Sequence, residues 1–210
     1  MLELYLIRHP KTYANKLKIL QGQNDTPLMP NWEKSVDGLA KKLAEYKPFD
    51  AFFSSDLIRA DIPARRIVDY LRKRQEGFPL NYHSTPNLRE RHWGTFENTS
   101  VDSIDSGKVH VLDYLFYENG IPQMETHAEV QGRIEVFSEQ ELKEFIESKD
   151  KLSKVVIMGH ANLISYFINW LKTVNIIDGP YKRLNHLEMI ALSVEATPEG
   201  RVVKNIQLPA

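Results

Sequence analysis

The apolar positions of the chain change period several times, and each change marks an element. Leu2–Ile7 is a short run of mostly large apolar residues cut off by Arg8-His9-Pro10, the pattern of a buried strand. Residues 21–31 hold Gly, Asn, Asp and Pro in quick succession and predict a loop. From Trp32 to Tyr46, the residues Val36, Leu39, Ala40 and Leu43 recur at helical spacing, and Pro48 closes that region. Ala51–Ser54 predicts a second strand. Behind it Leu57, Ala60, Ala64, Ile67, Val68 and Leu71 form the stripe of a helix that Ser54 or Ser55 is expected to cap and that Gly77 and Pro79 end. Residues 81–125 carry Pro86, Gly94, Gly107, Gly120 and Pro122 and are expected to be irregular, with one helix at Val109–Tyr117. A long stretch of this kind asks for a functional reason. Thr126 and Glu129 have capping-box spacing, ahead of a helix that buries Val130, Ile134, Phe137, Leu142, Phe145 and Ile146. Val155–Met158 is continuously apolar and β-branched, which predicts a strand covered on both faces. Gly159-His160-Ala161-Asn162 turns it into a helix reaching Leu171. Leu187–Val194 and Val202–Leu208 predict a strand pair joined through Pro198-Glu199-Gly200.

Alternating strands and helices with short connections predict a three-layer α/β/α sandwich around a mostly parallel sheet. Residues 1–210 are expected to form a single domain, with a cap-like excursion at 95–125 over the active site. Sheets of this kind bind ligands beyond the carboxyl ends of their strands. Three strand ends here carry polar groups: Arg8-His9, Ser54-Ser55 leading to Arg59, and Gly159-His160.

Composition narrows the picture little. Lys plus Arg is 27 against 28 Asp plus Glu, a net charge of -1 that offers nucleic acid no general attraction. With no cysteine, disulfides, thiol catalysis and Cys-ligated metals are excluded. Glu3 and Arg8 interrupt the apolar start, unlike a signal peptide, and Val155–Met158 and Leu163–Leu171 are too short or too polar to span a bilayer. The expectation is a soluble cytoplasmic chain with no nucleic-acid or membrane partner; oligomeric state is open.

Two histidines and two arginines at the mouth of one sheet make a compact cationic pocket. Arginine presents a charged planar fork that matches phosphate oxygens. Histidine is partly neutral near pH 7, so its lone pair can attack phosphorus. Glu90, in Leu88-Arg89-Glu90-Arg91-His92-Trp93-Gly94, is a candidate acid for a leaving-group oxygen if the excursion lies over the pocket. No metal is expected: the remaining histidines (His83, His92, His110, His127, His186) have no ligand spacing. Trp93 reads as packing, and Arg65-Arg66 and Arg72–Arg74 as the wet face of a helix.

These residues stand in motifs that resemble the histidine phosphatase superfamily, in the branch containing cofactor-dependent phosphoglycerate mutase. Ile7-Arg8-His9-Pro10-Lys11-Thr12 with Asn15 is similar to the opening family pattern. Leu20-Gln21-Gly22 with Asp25-Thr26-Pro27-Leu28, Ser54-Ser55-Asp56-Leu57-Ile58-Arg59-Ala60, Leu88-Arg89-Glu90 with Trp93-Gly94, and Gly159-His160 follow in family order. The resemblance implies that His9 accepts the phosphoryl group, that Arg8, Arg59 and His160 hold its oxygens, and that Glu90 donates the proton. It also implies that Asn15 and Gln21 line the phosphate or substrate side, with no cofactor. Pro10 stands where the family has glycine, Pro63 where threonine is common, and Ala161 where glycine is common; Pro63 is expected to kink its helix beside Arg59.

The implied activity is metal-independent hydrolysis of a small phosphorylated metabolite. Two alternatives stand beside it. Mutase-type transfer would need a second anion site, and Trp93–Met124 holds Lys108 but no arginine. A phosphate-binding or interaction module with little turnover would have the proline replacements as its support.

Overall fold

The computed structural model describes residues 1–75, 77, 79–104, 122–148, 151–173, 175–177, 183–197 and 200–206. The expected helix at 109–117 and the turn residues Pro198 and Glu199 lie outside them. The first half of the described chain comprises β1 (Leu2–Arg8), α1 (Tyr13–Lys16), α2 (Trp32–Leu43), β2 (Ala51–Ser55), α3 (Ile58–Arg72), β3 (Asn81–Thr85) and α4 (Val101–Ile104). The second half comprises α5 (His127–Phe137), α6 (Lys143–Glu147), β4 (Ser153–Gly159), α7 (Ala161–Thr173), β5 (Asn175–Ile177), β6 (Met189–Thr197) and β7 (Gly200–Ile206).

The two-residue period of β1 divides the core. Leu2, Leu4 and Leu6 pack with Val155 and Ile157 of β4 against α5, α6 and α7, whereas Tyr5 and Ile7 pack with Val156 and Met158 against α2 and α3. Helices therefore cover both faces, which is why these strands read as unbroken apolar runs. The result is the expected three-layer sandwich, on a sheet ordered β3-β2-β4-β1-β6-β7-β5. Strands β3, β2, β4 and β1 are mutually parallel; β6 returns antiparallel on β1, and β7 antiparallel on β6. Leu6 is fully buried, so truncating it to alanine should cost about 2–5 kcal/mol.

Two local expectations change. Asn81–Thr85, expected to be irregular, is a strand parallel to β2. Its sequence Asn-Tyr-His-Ser-Thr has almost nothing to bury, because an edge strand is recruited by its backbone rather than by an apolar face. Its Tyr82 hydroxyl donates to Asp61 Oδ1 at 2.5 Å and lies 2.7 Å from Ser54 Oγ. Second, the helix behind Thr126 is interrupted: α5 ends at Phe137, and a wide π-type turn over Ser138–Leu142 precedes α6. That turn shifts the register so that Phe137, Leu142 and Ile146 all reach the core. The capping box itself forms, with Thr126 Oγ1 accepting from Glu129 N and Glu129 Oε2 accepting from Thr126 N. Helix α3 includes Pro63, whose ring is buried. Among the described residues, no helix is long and apolar enough to cross a membrane.

Candidate active site

The order β2-β4-β1 sets three parallel carboxyl ends side by side. Arg8 pairs in register with Gly159, and His9 N donates to Gly159 O at 3.0 Å, so His9 and His160 leave adjacent strands together. Their ring centroids are 5.1 Å apart. His9 Nδ1 lies 2.6 Å from Pro10 O. A carbonyl can only accept, so Nδ1 carries the proton and the Nε2 lone pair is left for chemistry. Burial, reinforced by Arg59 and Arg8, holds the His9 imidazole well below its usual pKa and keeps it neutral. His160 is fully buried, its pKa depressed by burial and then by Arg59, and neither ring nitrogen has a hydrogen-bond partner among the described residues.

Arg59 is fixed by carbonyls. Its Nη1 donates to Asn24 O (2.8 Å) and Asp25 Oδ1 (3.2 Å), and its Nη2 to Gly22 O (2.6 Å). The Nε–H of this nearly inaccessible side chain has no partner among the described residues. Asp25 also starts the helix: Oδ2 accepts from Ile58 N at 2.7 Å and Oδ1 from Arg59 N at 3.4 Å. This corrects the expected cap. The N-cap position is Leu57, and Ser55 Oγ takes only the Leu57 N–H, one residue too early. A carboxylate at a helix N-terminus is favoured by the exposed N–H groups and the helix dipole, so the loop residue displaces the local serine. Gly22 has φ +54°, and a Cβ there would fall 1.9 Å from Glu97 Oε1; only glycine fits.

Asn15 and Gln21 are donors by elimination. Thr12 caps α1, and Asn15 Oδ1 accepts from Thr12 N (3.1 Å), Thr12 Oγ1 (3.0 Å) and His186 Nε2 (2.9 Å). Gln21 Oε1 accepts from Thr26 Oγ1 at 2.7 Å and faces Thr12 Oγ1 at 3.1 Å. With both oxygens occupied, each residue has its amide NH₂ left to offer an anion. His186 stands 5.6 Å from His9, edge to face, and its pKa is lowered to about 3 by burial and then by Arg8. Sequence reasoning assigned it no role. Nothing in its neighbourhood along the chain marked it, because its partners lie about 170 residues away.

Glu90 is 8% exposed. Its Oε2 accepts from Asn162 N (3.2 Å), and its Oε1 from Leu163 N (3.2 Å) and Arg91 N (2.9 Å), so it sits on the N-terminus of α7. Arg133 braces the same loop: it pairs with both Glu125 oxygens (2.6 and 2.9 Å) and donates to Asn87 O and Arg89 O. Arg91 is fully buried and donates to Glu125 O and Tyr166 Oη.

A cavity of about 320 Å³ gathers Arg8, His9, Asn15, Gln21, Arg59 and Glu90; His160 is not among its lining residues. Lys18, Arg183 and His186 also line it, and Glu90 is the single acidic group among the described lining residues. Trp93, expected to be packing, is buried and lines the cavity as well. Among the described residues no cluster of three or more His, Asp or Glu side chains is placed to hold a metal ion. A neutral imidazole among guanidinium and amide donors is an arrangement suited to phosphoryl transfer.

Comparison with known proteins agrees. Residues 4–207 match the model of the histidine phosphatase superfamily (branch 1), and the chain belongs to that family. It is 28% identical over 180 residues to the broad-specificity phosphatase YOR283W of Saccharomyces cerevisiae, covering 83% of this chain and 72% of that protein. It is also 28% identical over 176 residues to a probable phosphoglycerate mutase, GpmB, of Serratia proteamaculans, covering 80% and 74%. Among solved structures, phosphoglycerate mutase from Bacillus anthracis superimposes with a TM-score of 0.74 at 22% identity, covering 98% of this chain and 92% of that one, a likeness of fold.

Proposed function

We propose that the chain hydrolyses a small phosphomonoester through a phosphohistidine on His9, without a metal ion. His9 Nε2 attacks phosphorus while the ester P–O bond breaks and Glu90 delivers its proton to the leaving oxygen. Water then attacks the phosphohistidine, Glu90 takes the water's proton, the P–N bond breaks, and inorganic phosphate leaves. Arg8 and Arg59 hold the equatorial oxygens, assisted by the amide groups of Asn15 and Gln21. His160, outside the cavity lining but with both ring nitrogens unpartnered among the described residues and its ring centroid 5.1 Å from that of His9, adds a contact from the nucleophile's side. The observation that carries this reading is the 2.6 Å contact between His9 Nδ1 and Pro10 O, which leaves a neutral ring with its Nε2 lone pair unprotonated. Pro10, which has no N–H to give, contributes its carbonyl instead.

Transfer to a phosphorylated acceptor is the second reading. Lys18 and Arg183 at the cavity favour it, since they can meet a second anion. Against it, Arg91, next to the candidate acid, is fully buried and engaged with Glu125 and Tyr166. Rapid acid quench with a labelled phosphomonoester, with chelator present, should trap acid-labile phosphate that maps to His9 and is lost in His9→Ala. Label elsewhere refutes the nucleophile. Absence of label at every substrate would leave a binding module without turnover. Interconversion of 2- and 3-phosphoglycerate that requires 2,3-bisphosphoglycerate and releases no inorganic phosphate would favour the mutase reading.

A further inference from the structure

We infer that His186 is a positioning residue of the phosphate site, acting through Asn15; the inference rests on the proposed phosphate role of Asn15. The capping box fixes which Asn15 atom is oxygen, because Thr12 N must donate to it at 3.1 Å. His186 Nε2, 2.9 Å from the same oxygen, must therefore carry a hydrogen and donate. This third bond holds the amide plane so that Nδ2 turns away from the loop, leaving two N–H donors for a phosphate in the cavity both residues line. Without it, the short helix α1 and one threonine would be all that orients the amide.

The segment carrying His186 is itself pinned to the nucleophile strand. Arg8 N donates to Glu188 O, Leu187 N donates to Arg8 O, and Arg8 Nη1 donates to Leu184 O at 2.9 Å. Residues 184–188 thus hold an arginine of the site with their backbone and an amide with a side chain. The ring of His186 also closes against His9 at 5.6 Å, so the same residue limits where both groups can move.

The test separates the hydrogen bond from the ring. His186 also lines a neighbouring cavity of about 290 Å³, so alanine would join two spaces, and variants of similar bulk are preferable. His186→Phe keeps the ring and removes the donor; His186→Gln keeps an N–H donor. Inorganic phosphate binding by calorimetry is the first readout, with KM and kcat as the second. His186→Phe should weaken phosphate about 3–10-fold and raise KM more than it lowers kcat, the size expected for one net hydrogen bond. His186→Gln should recover to within about twofold on the same scale. In an Asn15→Ala background, His186→Phe should change phosphate affinity no further.

Multiplying losses in the double variant, or a Gln variant as weak as Phe, would overturn the inference. Should the Phe variant not fold, ¹⁵N spectra of the unmodified protein decide: His186 must be the Nε2–H tautomer, and the Nδ1–H tautomer sinks the idea. Phosphate binding without any phosphoenzyme would refute the proposed hydrolysis and leave this inference standing.

Discussion

The two halves of the candidate site are fixed by opposite chemistry. On the cationic side, Arg59 is held by acceptors: two loop carbonyls and the Asp25 carboxylate, which also caps α3. On the acidic side, Glu90 is held by donors, three backbone N–H groups, two of them from the first turn of α7. The braces follow the same inversion. An aspartate stabilises the loop that carries the cation's partners, and arginines 133 and 91 stabilise the loop that carries the carboxylate. Each functional group is buried among partners of the other polarity, and both line the cavity. Removing one brace should therefore damage one half and leave the other measurable.

The largest contrast is expected at Glu90 itself. Glu90→Gln should slow His9 phosphorylation about 10²–10⁴-fold with an alkyl phosphate, whose alkoxide needs the proton, and far less with an activated aryl phosphate. Burst rates by rapid quench would show this. Equal losses with both substrates would mean that Glu90 only holds the loop on α7. Next is the brace behind it: Arg133→Met removes the partner of a largely buried Glu125 and should cost about 3 kcal/mol in urea unfolding. It should lower kcat while phosphate affinity stays near its starting value. A loss of phosphate affinity instead would erase the division between halves.

Acid provides a third separation, because the depressed histidines all stand on the cationic side. His9, His160 and His186 have folded values below the roughly 6.5 of an unfolded chain. Below that pH the unfolded state binds protons that the native state refuses, so stability falls as pH drops. For His186 the loss runs from about 6.5 down to about 3. Unfolding midpoints should decline between pH 7 and 5, and the decline should be shallower in His186→Gln. An unchanged slope would mean that His186 titrates normally. The smallest effect is expected for Asp25→Ala, about 1–2 kcal/mol from the lost helix cap, accompanied by a raised KM as Arg59 loosens. Stability loss with KM unmoved would show that Asp25 serves the helix alone.

What the sequence made legible follows from range. Strands β1, β2 and β4 are covered on both faces and announce themselves as apolar runs; helices α2, α3 and α7 show their stripes, and Thr126 with Glu129 caps α5 as its spacing implied. Six of the seven named site residues line one cavity, because strand ends in a parallel sheet point to the same edge. The unread parts depend on distant partners. Asp25 caps a helix that begins 33 residues later, and His186 bonds a residue 171 positions earlier. The edge strand β3 owes its place to hydrogen bonds with β2 rather than to any side-chain pattern. Local composition contains none of this.

The bond from His9 N to Gly159 O also sets when the site can exist during synthesis. A ribosome that has released the chain through α6 has already presented Arg8, His9, Arg59 and Glu90. It has not yet supplied β4, which lies between β1 and β2, nor α7, whose first turn receives Glu90. Bringing β1 against β4 closes a loop of about 150 residues, a slow, high-separation pairing. At translation speeds of about 5–20 residues per second, the earlier residues wait for many seconds in a chain that cannot assemble the pocket. Appearance of phosphate binding therefore falls no earlier than the docking of β4 between β1 and β2, making the ligand a reporter of long-range sheet assembly.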